Sequence, residues 1–409
     1  MISNRAIGAL AEPSPLVVAH FEAAKDPYHP TENPRGAINL GTAENYLMEK
    51  ELLSWLSKVP PLPTHAMHYD EFRGSAQLRE VVAEFLCDIS GITHAKAEHI
   101  VIGSGVSSLL ESLAFVLFNE GDSLIIPSPY YTGYAEDFSH RFGVKIIAAP
   151  MQEKNDFDLD MGIIEQTYDQ AISQGEKVKA ILINNPNNPL GRVYTLSQLE
   201  SLIDFAIKRE LQIIADEIYA HSIYDESNGG YRSVLSLGED YQDSIHVLYG
   251  LAKDFGLSGF KFALCYSKNE AVLKALAANA YFYNVSTLDQ HVVAALLSER
   301  EAVKEFLAIY KTRLLASYNG FLEVNQKTIR VPVLPSQGGH FVFIKLAEYL
   351  SQQNFESERM LYEKIWNQVK VNITPGQYFC CAEPGWFRLC FANESFRVNE
   401  ALKRIHRML

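Results

Sequence analysis

The sequence is short of basic residues and lacks the apolar leader of a secreted or membrane protein. Its 409 residues include 36 lysines and arginines against 49 aspartates and glutamates, a formal net charge of -13. Such a balance argues against a nucleic-acid surface or an anionic membrane as a partner. The first residues, MISNRAIGALAEPSP, have one arginine and no sustained apolar run before their prolines. They predict neither a signal peptide nor a transmembrane anchor, so we expect a cytoplasmic protein.

Two further signatures are missing. The five cysteines are odd in number and lack the paired spacing of a zinc site or a disulfide framework, so we expect reduced thiols and no bound metal. A dinucleotide-binding motif is also absent, because Gly103 and Gly105 lack the third glycine of G-x-G-x-x-G. An NAD-dependent oxidoreductase is therefore not favoured.

The order of apolar and amphipathic segments predicts an α/β fold. Short apolar runs such as HIVIGSG, DSLIIPS, KVKAILINN, LQIIAD and IHVLYG alternate with helical patterns, which indicates a mostly parallel central sheet. We expect a large domain over residues 51–295 and a smaller α/β domain over 296–409. The first 50 residues are expected to form an arm that contributes to the small domain.

Two segments with chemical potential follow the first predicted strands. Val106 and Ser107 lie in the first turn of a helix, where backbone N–H groups and the helix dipole can bind a phosphate. An ordinary capped helix explains them equally simply. Tyr131 follows DSLIIPS at a strand's carboxyl end, where α/β sheets bind ligands and a tyrosine ring can stack on one. Its alternative is a half-buried tyrosine without a role.

The next two strands lead to polar side chains. The Asn-Pro steps of NNPNNPLGR force an irregular turn, which can point Asn188 inward as a hydrogen-bond donor. Asp216 comes directly after an apolar run, so its carboxylate is expected to be buried and to need a partner. Tyr219 follows three residues later and can reach the same ligand as Asn188.

The remaining candidates are cationic. Lys253 follows the strand IHVLYG, and Lys261 comes eight residues later; a crowded, desolvated lysine has a lowered pKa and a reactive amine. A solvated surface lysine is the usual alternative, but the flanks of Lys253 are apolar and glycine-rich. Arg388 lies within the apolar pattern WFRLCFA, which is costly unless an anion meets it. A substrate carboxylate and a structural salt bridge are equally good explanations for Arg388.

These residues match the requirements of pyridoxal 5'-phosphate (PLP) chemistry. PLP chemistry needs an amine that forms an imine, which Lys253 offers, and a carboxylate that keeps the pyridine nitrogen protonated, which Asp216 offers. It also needs hydrogen-bond donors to the phenolic oxygen, for which Asn188 and Tyr219 are the candidates. The segments KDPYHPTENPRGAINLGTAENYL, PSPYY, NPNNPLG, DEIYA, KDFGLSGFKF and EPGWFRLCFAN resemble fold type I PLP enzymes of the class I/II aminotransferase superfamily. The resemblance is to the 1-aminocyclopropane-1-carboxylate (ACC) synthase branch and spans nearly the whole chain.

The resemblance implies an aspartate aminotransferase-like fold and a role for each residue. Lys253 would be the Schiff-base lysine and the carrier of the Cα proton, and Tyr131 would stack on the cofactor ring. The phosphate would be held by Val106, Ser107 and Lys261, which stands in place of the usual arginine. Substrate contacts would come from Arg388, Glu44 in the A-E-N motif and Glu136.

The family also implies a homodimer with shared active sites, in which a tyrosine of the neighbouring subunit reaches the phosphate. Tyr69 has the spacing for this role, whereas Phe72 occupies the position of the ACC synthase tyrosine. Gly250 and Ala252 replace two hydroxyl residues that usually precede the lysine, which predicts a looser hold on the cofactor. Glu136 stands where ACC synthases have an arginine, a reversal that favours a substrate with an extra positive group over S-adenosylmethionine.

Two activities fit this pattern. The first is Cα deprotonation of an amino acid's external aldimine, followed by ACC synthase-like γ-elimination, cyclisation or γ-replacement. The alternative is amino transfer to a 2-oxo acid by an aminotransferase of class I/II. A non-enzymatic scaffold is disfavoured because most of the chemical positions are filled.

Overall fold

The computed structural model describes residue 2 and residues 15–93, 95–227, 229–237 and 243–409. The strands are β1 (Ile38–Asn39), β2 (Ile100–Gly103), β3 (Asp122–Ser128), β4 (Lys145–Pro150), β5 (Lys177–Asn184), β6 (Gln212–Asp216), β7 (Ile245–Gly250), β8 (Ala263–Ser267), β9 (Phe341–Lys345), β10 (Val371–Asn372), β11 (Thr374–Pro375) and β12 (Trp386–Cys390). The helices are α1 (Pro15–Lys25), α2 (Glu49–Leu56), α3 (Ala76–Ser90), α4 (Val106–Leu117), α5 (Tyr134–Phe142), α6 (Met161–Ser173), α7 (Leu196–Lys208), α8 (Glu270–Asn279), α9 (Thr287–Ser298), α10 (Arg300–Lys327), α11 (Phe355–Val369) and α12 (Ser395–Met408).

A seven-stranded sheet in the order β2-β8-β7-β6-β5-β3-β4 forms the centre of the molecule. Strands β3 to β7 run parallel to one another, and β8 is antiparallel to both β2 and β7. Successive residues of β6 point into different cores, Ile213 into one and Ile214 into the other. The sheet is therefore covered on both faces, which explains why its strands read as continuous apolar runs. The expected α/β, mostly parallel sheet is confirmed.

A second, smaller sheet is built from the C-terminal part of the chain. It is antiparallel in the order β11-β12-β9, and α10, α11 and α12 pack together beside it. A separate parallel pair joins the two ends of the chain, since Ile38 of β1 lies opposite Val371 of β10. The proposed domain boundaries stay a prediction, but this pairing ties the first 50 residues to the C-terminal part.

The parallel strands bring several loops to one edge of the central sheet. Asn184 at the end of β5 lies opposite Asp216 at the end of β6, and Asp216 lies opposite Leu248 of β7. Because parallel strands share a carboxyl edge, the segments that follow β3, β5, β6 and β7 meet there. Within the described ranges, no helix is both long and apolar enough to cross a bilayer.

The core of the small sheet offers a test of the packing. Phe343 of β9 is fully buried and stacks on Trp386, with ring centroids 5.1 Å apart. Phe343→Ala should lower the free energy of unfolding by about 3–5 kcal/mol, because it leaves a cavity among aromatic rings. Urea unfolding followed by tryptophan fluorescence measures the loss. Phe115→Ala, at a half-exposed ring of α4, is the control, and equal losses in the two variants would contradict this account.

Candidate active site

The loop after β7 places Lys253 beneath the N-terminal arm. Its Nζ donates a hydrogen bond to the carbonyl of Ala43 at 2.6 Å. Asn45 fastens the loop from the same arm, because its Nδ2 donates to the carbonyls of Lys253 at 3.2 Å and Asp254 at 3.3 Å. Burial lowers the pKa of Lys253, and the charge of Arg388 lowers it further, although nearby Glu44 acts in the opposite direction. The amine is thus biased towards its neutral, nucleophilic form.

Asp216 ends β6 as a buried carboxylate with neutral donors. The Tyr134 hydroxyl donates to its Oδ2 at 2.8 Å, and the N–H of Ile218 donates to its Oδ1 at 3.1 Å. Burial raises the pKa of Asp216 to about 6, even though these two donors and the charge of Lys253 lower it. A carboxylate in this setting is well suited to a cation such as a protonated pyridine nitrogen. Tyr134 was missed by the sequence analysis, since its only sign was a third tyrosine after PYY.

Arg388 of β12 lies within the apolar core and faces the turn after β5. Its Nη1 donates to Oδ1 of Asn188 at 2.9 Å, and its Nη2 donates to the carbonyl of Gly41. The guanidinium lies over the rings of Phe379 and Phe341, 4.9 and 5.4 Å from their centroids. Among the described residues no carboxylate pairs with Arg388, and its buried Nε has no hydrogen-bond partner. Of the two alternatives left open for this arginine, an anionic ligand is therefore favoured over a structural salt bridge.

Two tyrosines flank the carboxylate of Asp216. Tyr219 is buried, with its ring set edge-on to His340 at 5.2 Å and to Phe341 at 5.3 Å. Burial holds its pKa well above the ordinary value, so it is a phenol that can donate. Tyr131 is about a third exposed and meets the ring of Tyr134 edge-on at 5.3 Å. Its ring therefore lies next to the residue that binds Asp216.

The start of α4 forms a corner where the residues predicted to hold a phosphate meet. Gly105 has φ 95°, a left-handed conformation that favours glycine. A Cβ built there would lie 3.9 Å from the Lys261 side chain, so Lys261 lies against this turn. Val106 packs against the cluster that contains Tyr219, and Ser107 hydrogen-bonds Asp137. The three residues predicted to hold a phosphate thus come together at one helix start.

Asp137 beneath this corner was also missed by the sequence analysis. Its carboxyl is buried, and its Oδ2 has no partner among the described residues. Burial raises the pKa of Asp137 to about 8, although the hydrogen bond from Ser107 lowers it. At neutral pH the group is mostly a neutral acid, so it adds little negative charge beside a phosphate.

Three predicted residues lie outside this buried cluster. Tyr69 is 97% exposed and meets Phe72 edge-on, and both line a cavity of about 600 Å³ with residues 284–287. Glu136 is exposed on α5, where its carboxylate lies 2.5 Å from Nδ1 of His140. Glu44 lies nearer the amine of Lys253 and accepts a hydrogen bond from the Tyr46 hydroxyl at 2.8 Å.

The side chains of the cluster fit PLP. A buried amine suits the aldehyde of PLP, a buried carboxylate suits the pyridine nitrogen, and a helix start with a glycine turn and a lysine suits the phosphate. Among the residues that the structure describes, no group of three His, Cys, Asp or Glu side chains could hold a metal ion.

Comparison with known proteins shows the fold and the family. The family model described as aminotransferase class I and II matches residues 35–405. Aspartate aminotransferase of Thermus thermophilus, a mutant complexed with tryptophan, superposes with a TM-score of 0.83 at 22% identity over 100% of both chains. Aspartate aminotransferase of Thermotoga maritima gives a TM-score of 0.76 at 23% identity over 99% of both chains. The predicted aspartate aminotransferase-like fold is confirmed.

Curated relatives narrow the family. ACC synthase 6 of Oryza sativa subsp. japonica is 32% identical over 91% of this chain and 72% of its own. ACC synthase 7 of Arabidopsis thaliana is 32% identical over 97% of this chain and 92% of its own. The ACC synthase-like protein 1 of the same plant is 33% identical over 93% of this chain and 80% of its own. The chain belongs to the class I and II aminotransferase family, in its ACC synthase branch. The predicted dependence on PLP is confirmed with it.

The hydroxyl of Tyr134 offers a test of the carboxylate. Because this donor lowers the pKa of Asp216, Tyr134→Phe should raise that pKa above about 6 and leave less carboxylate near neutrality. The affinity of the apoprotein for PLP should fall by about tenfold at pH 7, because one hydrogen bond to a charged group is lost. The affinity should recover towards pH 9, where Asp216 is ionised again. Fluorescence titration with PLP measures it.

Tyr130→Phe is the matched control, because its hydroxyl receives a hydrogen bond from Cys380 and does not touch Asp216. Unchanged PLP affinity in Tyr134→Phe at pH 7, or an equal loss in both variants, would contradict the assignment.

Proposed function

We propose that this enzyme removes the Cα proton of an α-amino acid substrate and then catalyses an ACC synthase-like γ-elimination, cyclisation or γ-replacement. The observation that carries the proposal is the pairing of a desolvated amine, Lys253, with a buried guanidinium, Arg388, that lowers the amine's pKa. Lys253 can accept a proton while Arg388 binds the carboxylate of the substrate. The ACC synthase relatives supply the direction of the later steps.

The roles proposed for the residues follow from their contacts. PLP supplies an electron sink for the charge left at Cα when the proton leaves. Lys253 takes that proton, because burial favours its neutral form. Arg388 orients the substrate carboxylate, since the two aromatic rings and Asn188 fix its plane. Asp216 would balance the charge of the ring nitrogen, and the hydrogen bond from Tyr134 favours the ionised form of Asp216.

The alternative is amino transfer to a 2-oxo acid. It uses the same amine, carboxylate and arginine, and the family is described as aminotransferases of class I and II. The two activities differ in their products, because amino transfer consumes a 2-oxo acid and releases no γ-substituent.

Lys253→Ala separates these chemistries from a non-catalytic fold. Turnover should fall by at least about 10³-fold, since the variant loses the general base, and the absorbance of the bound cofactor should change. Borohydride should fix PLP at residue 253 in the wild type only. Assays follow methylthioadenosine release from S-adenosylmethionine and, separately, 2-oxo acid consumption with amino donors.

Lys274→Ala is the control, because this exposed lysine of α8 pairs with Glu270 on the same helix. A colourless wild-type protein that borohydride does not label would refute the proposed chemistry. Release of methylthioadenosine without any consumption of 2-oxo acids would show an activity of the ACC synthase type and exclude the aminotransferase.

We propose that the substrate carries an extra positive group. Glu136 lies in the first turn of α5, a few residues after Tyr131, and its exposed carboxylate pairs with His140. A negative charge at this place attracts cationic substrates and would be weakened by salt.

Glu136→Arg should lower kcat/KM for cationic amino acids by about two- to fivefold at low salt, relative to neutral ones, the range of an exposed charge pair. Glu270→Arg is the matched control, since it also reverses a first-turn glutamate with an i,i+4 partner, on α8. Steady-state kinetics across cationic, neutral and anionic substrates, including S-adenosylmethionine, provide the measurement. An unchanged preference would remove the argument against S-adenosylmethionine.

We further propose a homodimer with shared sites. Tyr69 extends into solvent beside Phe72, and the neighbouring surface exposes Met67, Tyr281 and Phe282, the last 84% exposed. A surface this apolar is typical of an interface. In such a dimer Tyr69 would reach the neighbouring subunit's phosphate. The cytoplasmic location stays a prediction.

A further inference from the structure

A buried chain of polar side chains lies behind Lys253 and Tyr219, and none of its members has a role in the chemistry above. It runs from the loop after β7 to the start of β9. Oδ1 of Asp254 is 2.5 Å from the Ser222 hydroxyl, which is 2.7 Å from the Tyr310 hydroxyl. The Tyr310 hydroxyl is 2.5 Å from Nε2 of His340. All four residues are fully buried.

The chemistry of these groups gives the chain a direction. Oδ2 of Asp254 already accepts from the N–H of His221 at 3.0 Å and from the Tyr249 hydroxyl at 3.0 Å. Burial raises the pKa of Asp254 to about 7, although its hydrogen bonds lower it, so the carboxylate form prevails above neutral pH. In that form Asp254 also accepts from Ser222, whose 2.5 Å contact has the length of a hydroxyl–carboxylate bond. Since Ser222 donates its proton there, its oxygen accepts from the Tyr310 hydroxyl. Nε2 of His340 lies 2.5 Å from the Tyr310 hydroxyl and 3.2 Å from the Ser222 hydroxyl, so its proton serves both oxygens.

The direction fixes the tautomer of His340. Burial, and the charge of Lys253, hold the pKa of His340 well below its ordinary value, so the ring is neutral and carries one proton. In the chain above, that proton is on Nε2. The reversed chain would put the proton on Nδ1, a buried atom without a partner among the described residues. Nδ1 lacks a partner in both tautomers, but with Asp254 ionised the Nε2–H form makes one more hydrogen bond than the Nδ1–H form, so the direction towards Asp254 is preferred.

The ends of the chain lie against groups of the proposed active site. Asp254 adjoins Lys253 in sequence, and Asn45 binds the carbonyls of both. At the other end the ring of His340 meets Tyr219 edge-on. The backbone carbonyl of His340 accepts from the N–H of Phe391 at 2.8 Å, just after the strand that carries Arg388. The chain thus links the lysine loop to the sheet of the substrate arginine.

We propose that Asp254, Ser222, Tyr310 and His340 are positioning residues. Their one-way hydrogen-bond chain fixes His340 as the Nε2–H tautomer. It also holds Lys253 and Tyr219 in fixed positions relative to Arg388. The proposal rests on the function proposed above for Lys253 and Arg388. It adds residues that touch neither the cofactor nor the substrate, and they act through the groups that do. Its geometric part, the tautomer of His340, is independent of any activity.

The first experiment measures that tautomer directly. Holoenzyme with ¹⁵N-labelled histidine, at about pH 8.5 where Asp254 is ionised, should show His340 as a single neutral form protonated at Nε2. The His340 signal is assigned as the one missing in His340→Gln. Tyr310→Phe removes the acceptor of this proton, and the His340 signals should shift towards a mixture of both tautomers. A wild-type ring protonated at Nδ1, or one that Tyr310→Phe leaves unchanged, overturns the proposal.

The second experiment measures the consequence for catalysis. Tyr310→Phe should lower kcat by about tenfold or more and change KM much less, because a misplaced amine slows the proton transfer and leaves Arg388 in place. His340→Leu should lose a similar amount. His340→Gln should remain within about threefold of the wild type, because its amide N–H can replace the Nε2–H donor. Ser222→Ala breaks the chain at another position and serves if Tyr310→Phe does not fold.

Tyr224→Phe is the matched control, because its buried hydroxyl binds Ser336 at 2.7 Å outside the chain. It removes an equivalent hydrogen bond and should leave kcat and the His340 signals unchanged. An equal loss of kcat in Tyr224→Phe, or no difference between His340→Gln and His340→Leu, overturns the positioning role. If no amino acid is turned over, the function proposed above fails while the tautomer measurement still decides the chain's direction.

Discussion

The burial of the Asp216 carboxylate is the constraint on which the rest of the site depends. A carboxylate at the end of a covered parallel strand needs a cation or several donors. The structure provides Tyr134 and a backbone N–H, which do not remove the cost, so the pKa of Asp216 stays raised at about 6. A ligand cation completes the balance, and the cofactor of this family carries one at its ring nitrogen. The neighbouring strands of the parallel sheet place the amine and the turn of Asn188 around the same point.

The segment that crosses over the loop of Lys253 joins the two sheets. Its carbonyl groups at Gly41 and Ala43 accept from Arg388 and Lys253, respectively, and Asn45 holds the loop itself. The amine of Lys253 and the guanidinium of Arg388 are therefore held by backbone groups of one short segment. Backbone acceptors fix a position without adding a negative charge, so both groups remain able to act on a ligand.

The sequence predicted those site residues that stand out from their immediate neighbours in the chain. Lys253, Asp216 and Arg388 each stand out because a charge interrupts or ends an apolar strand, and such strands make the fold class readable too. Tyr134, Asp137 and His340 could not be found in this way. Each is a common residue type in an ordinary helix or strand pattern, and its importance arises only from partners far away in sequence, such as Tyr310 for His340. The antiparallel direction of β8 likewise depends on pairing with β2 and β7, which no local pattern specifies.

The pairing of β1 with β10 has a consequence for the synthesis of the protein. Gly41 meets Arg388 across 347 positions of the chain, and Ile38 lies beside Val371. A nascent polypeptide that has already released its lysine loop from the ribosome still lacks both the arginine and the strand that anchors the arm. The contacts that fasten the arm to Arg388 and to β10 therefore form only after residues 371–388 have been synthesised.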